Sequence, residues 1–316
     1  MRKLLMLPLF LLTIQVFAEK NIDTNFIQSP IVLETPTGNI FGTLTTPLNF
    51  SKGPVVLIIA GSGPTDRNGN NPMMKNNSLQ QLAFGLADAG IASLRYDKRG
   101  IAASAKAMHE EAELRFDNYF NDAKDWVSLL KKDSRFNQII IAGHSEGSLL
   151  GMIAATKNVS KYISIAGPGN KADETIREQL ENQPDAIKEL AFPILDSLSA
   201  GITVSDPDPM LAALFRPSVQ PYLISWFKYN PQIEITKLSI PILIIQGDND
   251  IQVSVKDAEL LSSAKKDAQI NIIKGMNHIL KMVPYDDKEA NIKSYSNPKL
   301  PLAEELLNTL ISFIKK

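Results

Sequence analysis

The nine residues Ile139-Ile140-Ile141-Ala142-Gly143-His144-Ser145-Glu146-Gly147 decide the reading of this chain. Four consecutive apolar residues predict a strand buried on both faces. The pattern then changes to a helical one, from Ser145 to Ala155. A serine between a strand and a helix sits on a sharp, crowded turn. Glycine at 143 and 147 relieves that crowding. The turn exposes the hydroxyl, and the following helix N-terminus favours developing negative charge. Ser145 is therefore the candidate nucleophile.

Outward from this point the same alternation recurs. Ile31 to Leu33 and Asn39 to Thr46 predict an opening hairpin across Thr37-Gly38. Val55 to Ile59, Ile91 to Tyr96, Tyr162 to Ile165, Pro241 to Gln246 and Ile270 to Ile273 predict further strands. Leu79, Leu82, Ala83 and Leu86 follow helical spacing, with Ser78 as a cap and Gly90 as a stop. Phe116 to Leu130 repeats at three and four residues. Ser254 caps a later helix, and Leu302 to Phe313 forms a terminal amphipathic one. Alternating strands and helices imply an α/β fold, with a mostly parallel central sheet and helices on both faces. Between about 170 and 235 the strands stop. Apolar spacing from Ile176 to Leu198 suggests two or three helices, and Pro207, Pro209, Pro217 and Pro221 punctuate the rest. This predicts a helical insertion at 170–235, dividing a core of 19–169 and 236–316.

In parallel sheets ligands bind at the carboxyl ends of the strands. Gln246-Gly247-Asp248-Asn249-Asp250 follows one strand, and Gly275-Met276-Asn277-His278 follows another. A serine hydroxyl needs a base, and the base needs an orienting carboxylate. His278 is the candidate base and Asp250 the orienter, with Asp248 the competitor. His144 packs beside the site in this reading, and His109 lies exposed. Ala60-Gly61-Ser62-Gly63-Pro64 follows the strand ending at Ile59. Backbone N–H groups of Ser62 and Glu146 are the candidate oxyanion donors, with Gly63 the nearest alternative to Ser62.

Composition narrows the classes. The chain has 316 residues, 44% of them hydrophobic, and a formal charge of −1. No basic surface points to nucleic acid. With no cysteine and three histidines, thiolate metal sites, a cysteine nucleophile, disulfides and a lipid-anchoring cysteine are excluded. Arg2-Lys3, the apolar run Leu4 to Val16 and Val16-Phe17-Ala18 predict a signal peptide over 1–18, cut after Ala18. The run is shorter than the ~20 residues of a membrane span, so export without a stable anchor is expected.

The order serine, aspartate, histidine, each at a strand end, resembles the α/β-hydrolase superfamily. Arg95-Tyr96-Asp97-Lys98-Arg99-Gly100 is similar to the family's loop after the fourth strand. Gly61-Ser62-Gly63-Pro64-Thr65-Asp66-Arg67 resembles the oxyanion loop of bacterial esterase-D-like hydrolases, which also match serine aminopeptidase profiles. The resemblance implies triad roles for Ser145, Asp250 and His278, an oxyanion hole from Ser62 and Glu146, and a cap domain. It also implies no cofactor and no metal. Two departures stand out. Ala102-Ala103 replaces a usual glycine, and Ala60-Gly61 replaces a common His-Gly pair. The expected activity is hydrolysis of a small-molecule ester with a short to medium acyl chain. Phe215, Tyr222, Trp226 and Phe227 either line the pocket or hold the insertion to the core. A serine aminopeptidase or amidase is the alternative; it needs a carboxylate for the substrate amine, for which Glu174, Glu178 and Glu181 are available. An inactive secreted binding protein is the third reading.

Overall fold

The structure is a computed structural model that describes residues 25–316, apart from 156, 182 and 286. The expected signal peptide at 1–18 lies outside the described residues.

Eight strands form one sheet in the order β1-β2-β4-β3-β5-β6-β7-β8. The strands β1 (Phe26–Thr35) and β2 (Gly38–Pro47) make the opening hairpin, and β2 runs antiparallel to β4 (Ala92–Tyr96). From β4 onward every pairing is parallel: β3 (Gly53–Ile59), β5 (Phe136–His144), β6 (Lys161–Ile165), β7 (Ile242–Gly247) and β8 (Gln269–Ile273). The strand carrying Ser145 at its end is thus central. Ile59 pairs with Gly143 and His144 with Ile165, which brings the carboxyl ends of three strands to one edge.

The continuous apolar runs reflect burial on both sides. Val55, Leu57 and Ile59 pack into one core, with α2 (Phe116–Lys132) and α3 (Glu146–Ala154) against it. Val56 and Ile58 point the other way, into a core closed by α1 (Ser78–Asp88) and the terminal helix over Glu304–Lys315. One predicted cap is corrected. Ser78 is the first helical residue, and the turn before it is Asn77 in the left-handed region at φ 53°. The Asn76 side chain accepts the Ser78 N–H at 2.9 Å, and Gly90 ends the segment at φ 82°.

Among the described residues no strand lies between β6 and β7. That stretch holds α4 (Ala172–Leu180), α5 (Asp185–Ser199), α6 (Ala212–Phe215), α7 (Gln220–Trp226) and α8 (Pro231–Thr236). There are more helices than the apolar spacing predicted. Pro221 and Pro231 sit in first turns, where a missing N–H costs nothing, so they start helices rather than only interrupting them. α8 packs against α3 and against α9 (Val255–Ala264), as an ordinary crossover helix does. The Gln232 side chain donates to the Gly169 carbonyl at 3.1 Å, so the excursion begins and ends at one bonded point. The remaining helices are α10 (Lys288–Ser294) and α11 (Glu304–Lys315).

Candidate active site

Ser145 has φ 56° and ψ −125°, a strained conformation for a residue with a side chain. Such backbone strain costs on the order of 1–3 kcal/mol and persists only where the surroundings over-determine it. Here they do. The Ser145 N–H donates to Ile165 O at 3.0 Å. A Cβ on Gly143 would lie 2.1 Å from Gly147 O, and one on Gly147 would lie 2.3 Å from Ile59 O. Both contacts are with backbone, which cannot swing aside. The two glycines let β3, β5 and α3 approach closely enough to hold the serine on its turn.

His278 lies beside this turn. Its backbone carbonyl accepts from His144 Nε2 at 2.8 Å, and the two imidazoles are 4.9 Å apart. His278 Nδ1 donates to Asp250 Oδ2 at 2.8 Å. Both of these side chains are buried. The Asp250 carboxylate also accepts Gln252 N at 2.7 Å, Val253 N at 3.0 Å and Gln246 Nε2 at 3.0 Å. Burial pushes the Asp250 carboxyl up. The His278 charge and hydrogen bond, with the two backbone donors, outweigh it and leave the group below its ordinary value. Asp248, the competitor, faces elsewhere, accepting from the Tyr285 hydroxyl at 2.6 Å and from Gly275 N at 2.7 Å. His144 is buried, with its pKa lowered to about 4 by burial first and by the neighbouring His278 second. It is a neutral spacer donating through Nε2. His109 is exposed. Among the described residues the Ser145 hydroxyl makes no hydrogen bond; such contacts are often long until a substrate is present.

Ser62 and Gly63 lie on an exposed loop that lines the same cavity as Ser145, with Gly63 at φ 65°. A Cβ on Gly61 would stand 3.1 Å from the Ser145 Cβ, so this loop abuts the nucleophile. Glu146 is the first residue of α3, where a backbone N–H has no intrahelical acceptor. The residues after β4 split into two kinds. Asp97 and Arg99 are structural: Asp97 binds the Arg67 guanidinium at 2.7 Å and Arg99 binds Asp122 at 2.6 Å. Ala102 adopts φ 44° in place of the expected glycine, accepting ~1–2 kcal/mol of left-handed strain. Lys98, between them, belongs to the site. It is fully buried and its ammonium donates to Gly61 O at 2.6 Å and to Glu146 Oε1 at 2.8 Å. The Tyr222 hydroxyl, from α7, donates to Glu146 Oε2 at 2.7 Å. Sequence reasoning passed over Lys98; its one signal was a cation directly after a buried strand.

A cavity of about 640 Å³ opens over Ser145, Ser62 and Glu146. Its walls are mainly apolar, with Leu114, Leu149, Ile176, Leu223 and Trp226 among them. Neither Asp250 nor His278 is among the lining residues. Of the four aromatics considered, Tyr222 and Trp226 line the cavity, while Phe215 and Phe227 are buried away from it. Two carboxylates reach the wall, and both are engaged: Glu146 as above, and Glu111 with the Arg216 guanidinium and the Ser218 hydroxyl. Glu174, Glu178 and Glu181 do not line it. Glu174 accepts Lys171 N, and Glu178 accepts the Asn170 amide. Among the described residues no group of His, Cys, Asp and Glu converges as a metal site.

This fold has known counterparts. A family model described as serine aminopeptidase, S33 matches residues 74–218. Esterase EstD from Thermotoga maritima is 26% identical over 253 residues, 76% of this chain and 57% of that protein. The chain thus spans little more than half the length of this curated relative. Est1E from Butyrivibrio proteoclasticus, solved with ferulic acid bound, superposes with a TM-score of 0.61 at 19% identity, over 90% of this chain and 100% of that one. An esterase from Pyrococcus furiosus gives 0.56 at 14%, over 92% and 90%. The fold is that of the α/β hydrolases.

Proposed function

We propose that the protein is an exported serine hydrolase that cleaves carboxylic esters of short to medium acyl chains. The observation that carries this reading is the His278–Asp250 pair, bonded at 2.8 Å beside a strained Ser145 that opens into a largely apolar cavity. In this mechanism the Ser145 hydroxyl attacks the ester carbonyl and gives its proton to His278 Nε2. Asp250 holds Nδ1–H and stabilises the imidazolium. The oxyanion of the tetrahedral intermediate takes hydrogen bonds from the Ser62 and Glu146 N–H groups. His278 returns the proton to the leaving alkoxide, freeing the alcohol and leaving an acyl-enzyme. Water, deprotonated by His278, then releases the acid. The helical segment at 170–235 roofs the pocket and sets acyl size. Export rests on the leader-like residues 1–18.

An apolar wall whose carboxylates are already paired supports an ester over an N-terminal peptide, because a free carboxylate is what an incoming ammonium would need. The test is a screen of aryl esters of graded acyl length, run beside aminoacyl amides, on the wild type and Ser145→Ala. Ester cleavage lost in Ser145→Ala is expected. Unchanged ester cleavage by that variant would end this reading, and a preference for the amides would replace it with the peptidase.

A further inference from the structure

The buried cation at Lys98 stands between the two candidate oxyanion donors. Its ammonium reaches Gly61 O at 2.6 Å on one side and Glu146 Oε1 at 2.8 Å on the other. Gly61 C=O and Ser62 N–H belong to one planar trans peptide, so they point in opposite directions. Fixing the carbonyl on Lys98 therefore fixes where the Ser62 N–H aims, on the far side of the peptide. The ammonium also polarises that peptide, which strengthens its N–H as a donor. The second donor, the Glu146 N–H, belongs to the residue whose carboxylate takes the other end of the ammonium. That carboxylate is completed from α7 by the Tyr222 hydroxyl at 2.7 Å. The Lys98 ammonium lies 4.8 Å from the Tyr119 ring centre, which closes its remaining side. Lys98 and Glu146 are 1% and 2% exposed, too dry for water to substitute for either partner.

We infer that Lys98 is a positioning residue that sets both oxyanion donors at once, and that Tyr222 couples this setting to the seating of the helices over the pocket. The inference rests on the roles given above to Ser62 and Glu146. Its logic excludes a simple stability role. A buried pair replaced by apolar groups is often neutral for folding, whereas a donor aimed wrongly loses transition-state stabilisation alone.

The experiment compares full-length wild type, Lys98→Met, the charge-neutral pair Lys98→Met/Glu146→Gln, and Tyr222→Phe. Three quantities are read: kcat and KM on a short-chain aryl ester, the rate of Ser145 phosphonylation by a fluorophosphonate, and the urea midpoint. Loss of one oxyanion donor costs on the order of 10²–10³ in kcat. Both Lys98 variants are therefore expected to lose about 100-fold in kcat with KM nearly unchanged, and to be phosphonylated more slowly in parallel. Tyr222→Phe removes one hydrogen bond and is expected to lose about fivefold. Lys98→Met alone strands a buried carboxylate, so the double variant carries the decision. If it regains the wild-type urea midpoint yet stays slow, the inference stands. If it is folded and as fast as wild type, the inference is overturned. Should the wild type cleave no ester but still be phosphonylated, the ester reading falls and the phosphonylation rates decide this one: slowed variants support it, equal rates overturn it. No phosphonylation of folded wild type overturns both.

Discussion

Acid exposes the cost of burying His144. In the native protein burial, reinforced by the adjacent His278, holds its imidazole at about 4 against an ordinary value of 6.5. Neutral His144 donates through Nε2 to the His278 carbonyl. A second proton would go on Nδ1, in a buried site where a charge is poorly solvated. The unfolded chain binds that proton near the ordinary value and the folded chain resists it. Stability therefore falls as the pH drops between the two values. Linkage makes the loss about 2–3 kcal/mol between roughly pH 7 and pH 4.5. His144→Gln keeps an N–H donor and removes the titration. Urea unfolding of wild type and variant, followed by tryptophan fluorescence in small pH steps, gives the difference directly. The wild-type advantage at neutral pH should shrink by about that amount on acidification. Groups distant from this pair cancel in the difference. Among them is Asp122, whose carboxyl burial raises to about 6 despite the Arg99 guanidinium bound to it. Parallel stability curves at every pH would refute the argument.

Four further outcomes follow from geometry. Asp250→Asn keeps the shape but frees the His278 ring to take the wrong tautomer; kcat should fall by about 10³–10⁴. Asp248→Asn should leave kcat within a few-fold, since Asp248 binds Tyr285 and Gly275 rather than the base. Trp226→Ala should widen the accepted acyl length in a chain-length series, because Trp226 lines the cavity. Phe215→Ala should instead cost ~3–5 kcal/mol in denaturant unfolding with acyl preference unchanged, because that ring is wholly buried elsewhere.

The sheet and the strained serine turn were legible because their determinants are local. A doubly buried strand needs a continuous apolar run, and a strained serine turn needs small neighbours, so Ile139 to Gly147 states both conditions within nine residues. The choice between Asp248 and Asp250 was not local. Both sit in one turn, and what separates them is Tyr285, 37 positions after Asp248, and His278, 28 after Asp250. The Lys98 cluster was less legible still, since Gly61, Lys98, Glu146 and Tyr222 come from four separate elements and share no spacing. The Ser78 cap failed for a smaller reason. Asn76, Asn77 and Ser78 are all good capping residues, and only the left-handed turn at Asn77 decides which side chain reaches the helix.

The bond between Gln232 and the Gly169 carbonyl has a consequence for how such a protein can change. The bond ties the loop after β6 to the start of α8, closing a segment whose ends are 63 positions apart in sequence. The entropy of closing a loop grows only slowly with its length, by roughly 0.6 kcal/mol per doubling. Changes of length between these two residues therefore cost little in closure entropy, provided that the side chains packed on the core, Phe215 and Leu223 among them, are replaced in kind. Grafting a segment from another hydrolase at Gly169 and Gln232 is the natural way to give this reaction centre a new diet. The graft must restore a hydroxyl at the position of Tyr222 to meet the Glu146 carboxylate, and partners for Glu111 in place of Arg216 and Ser218.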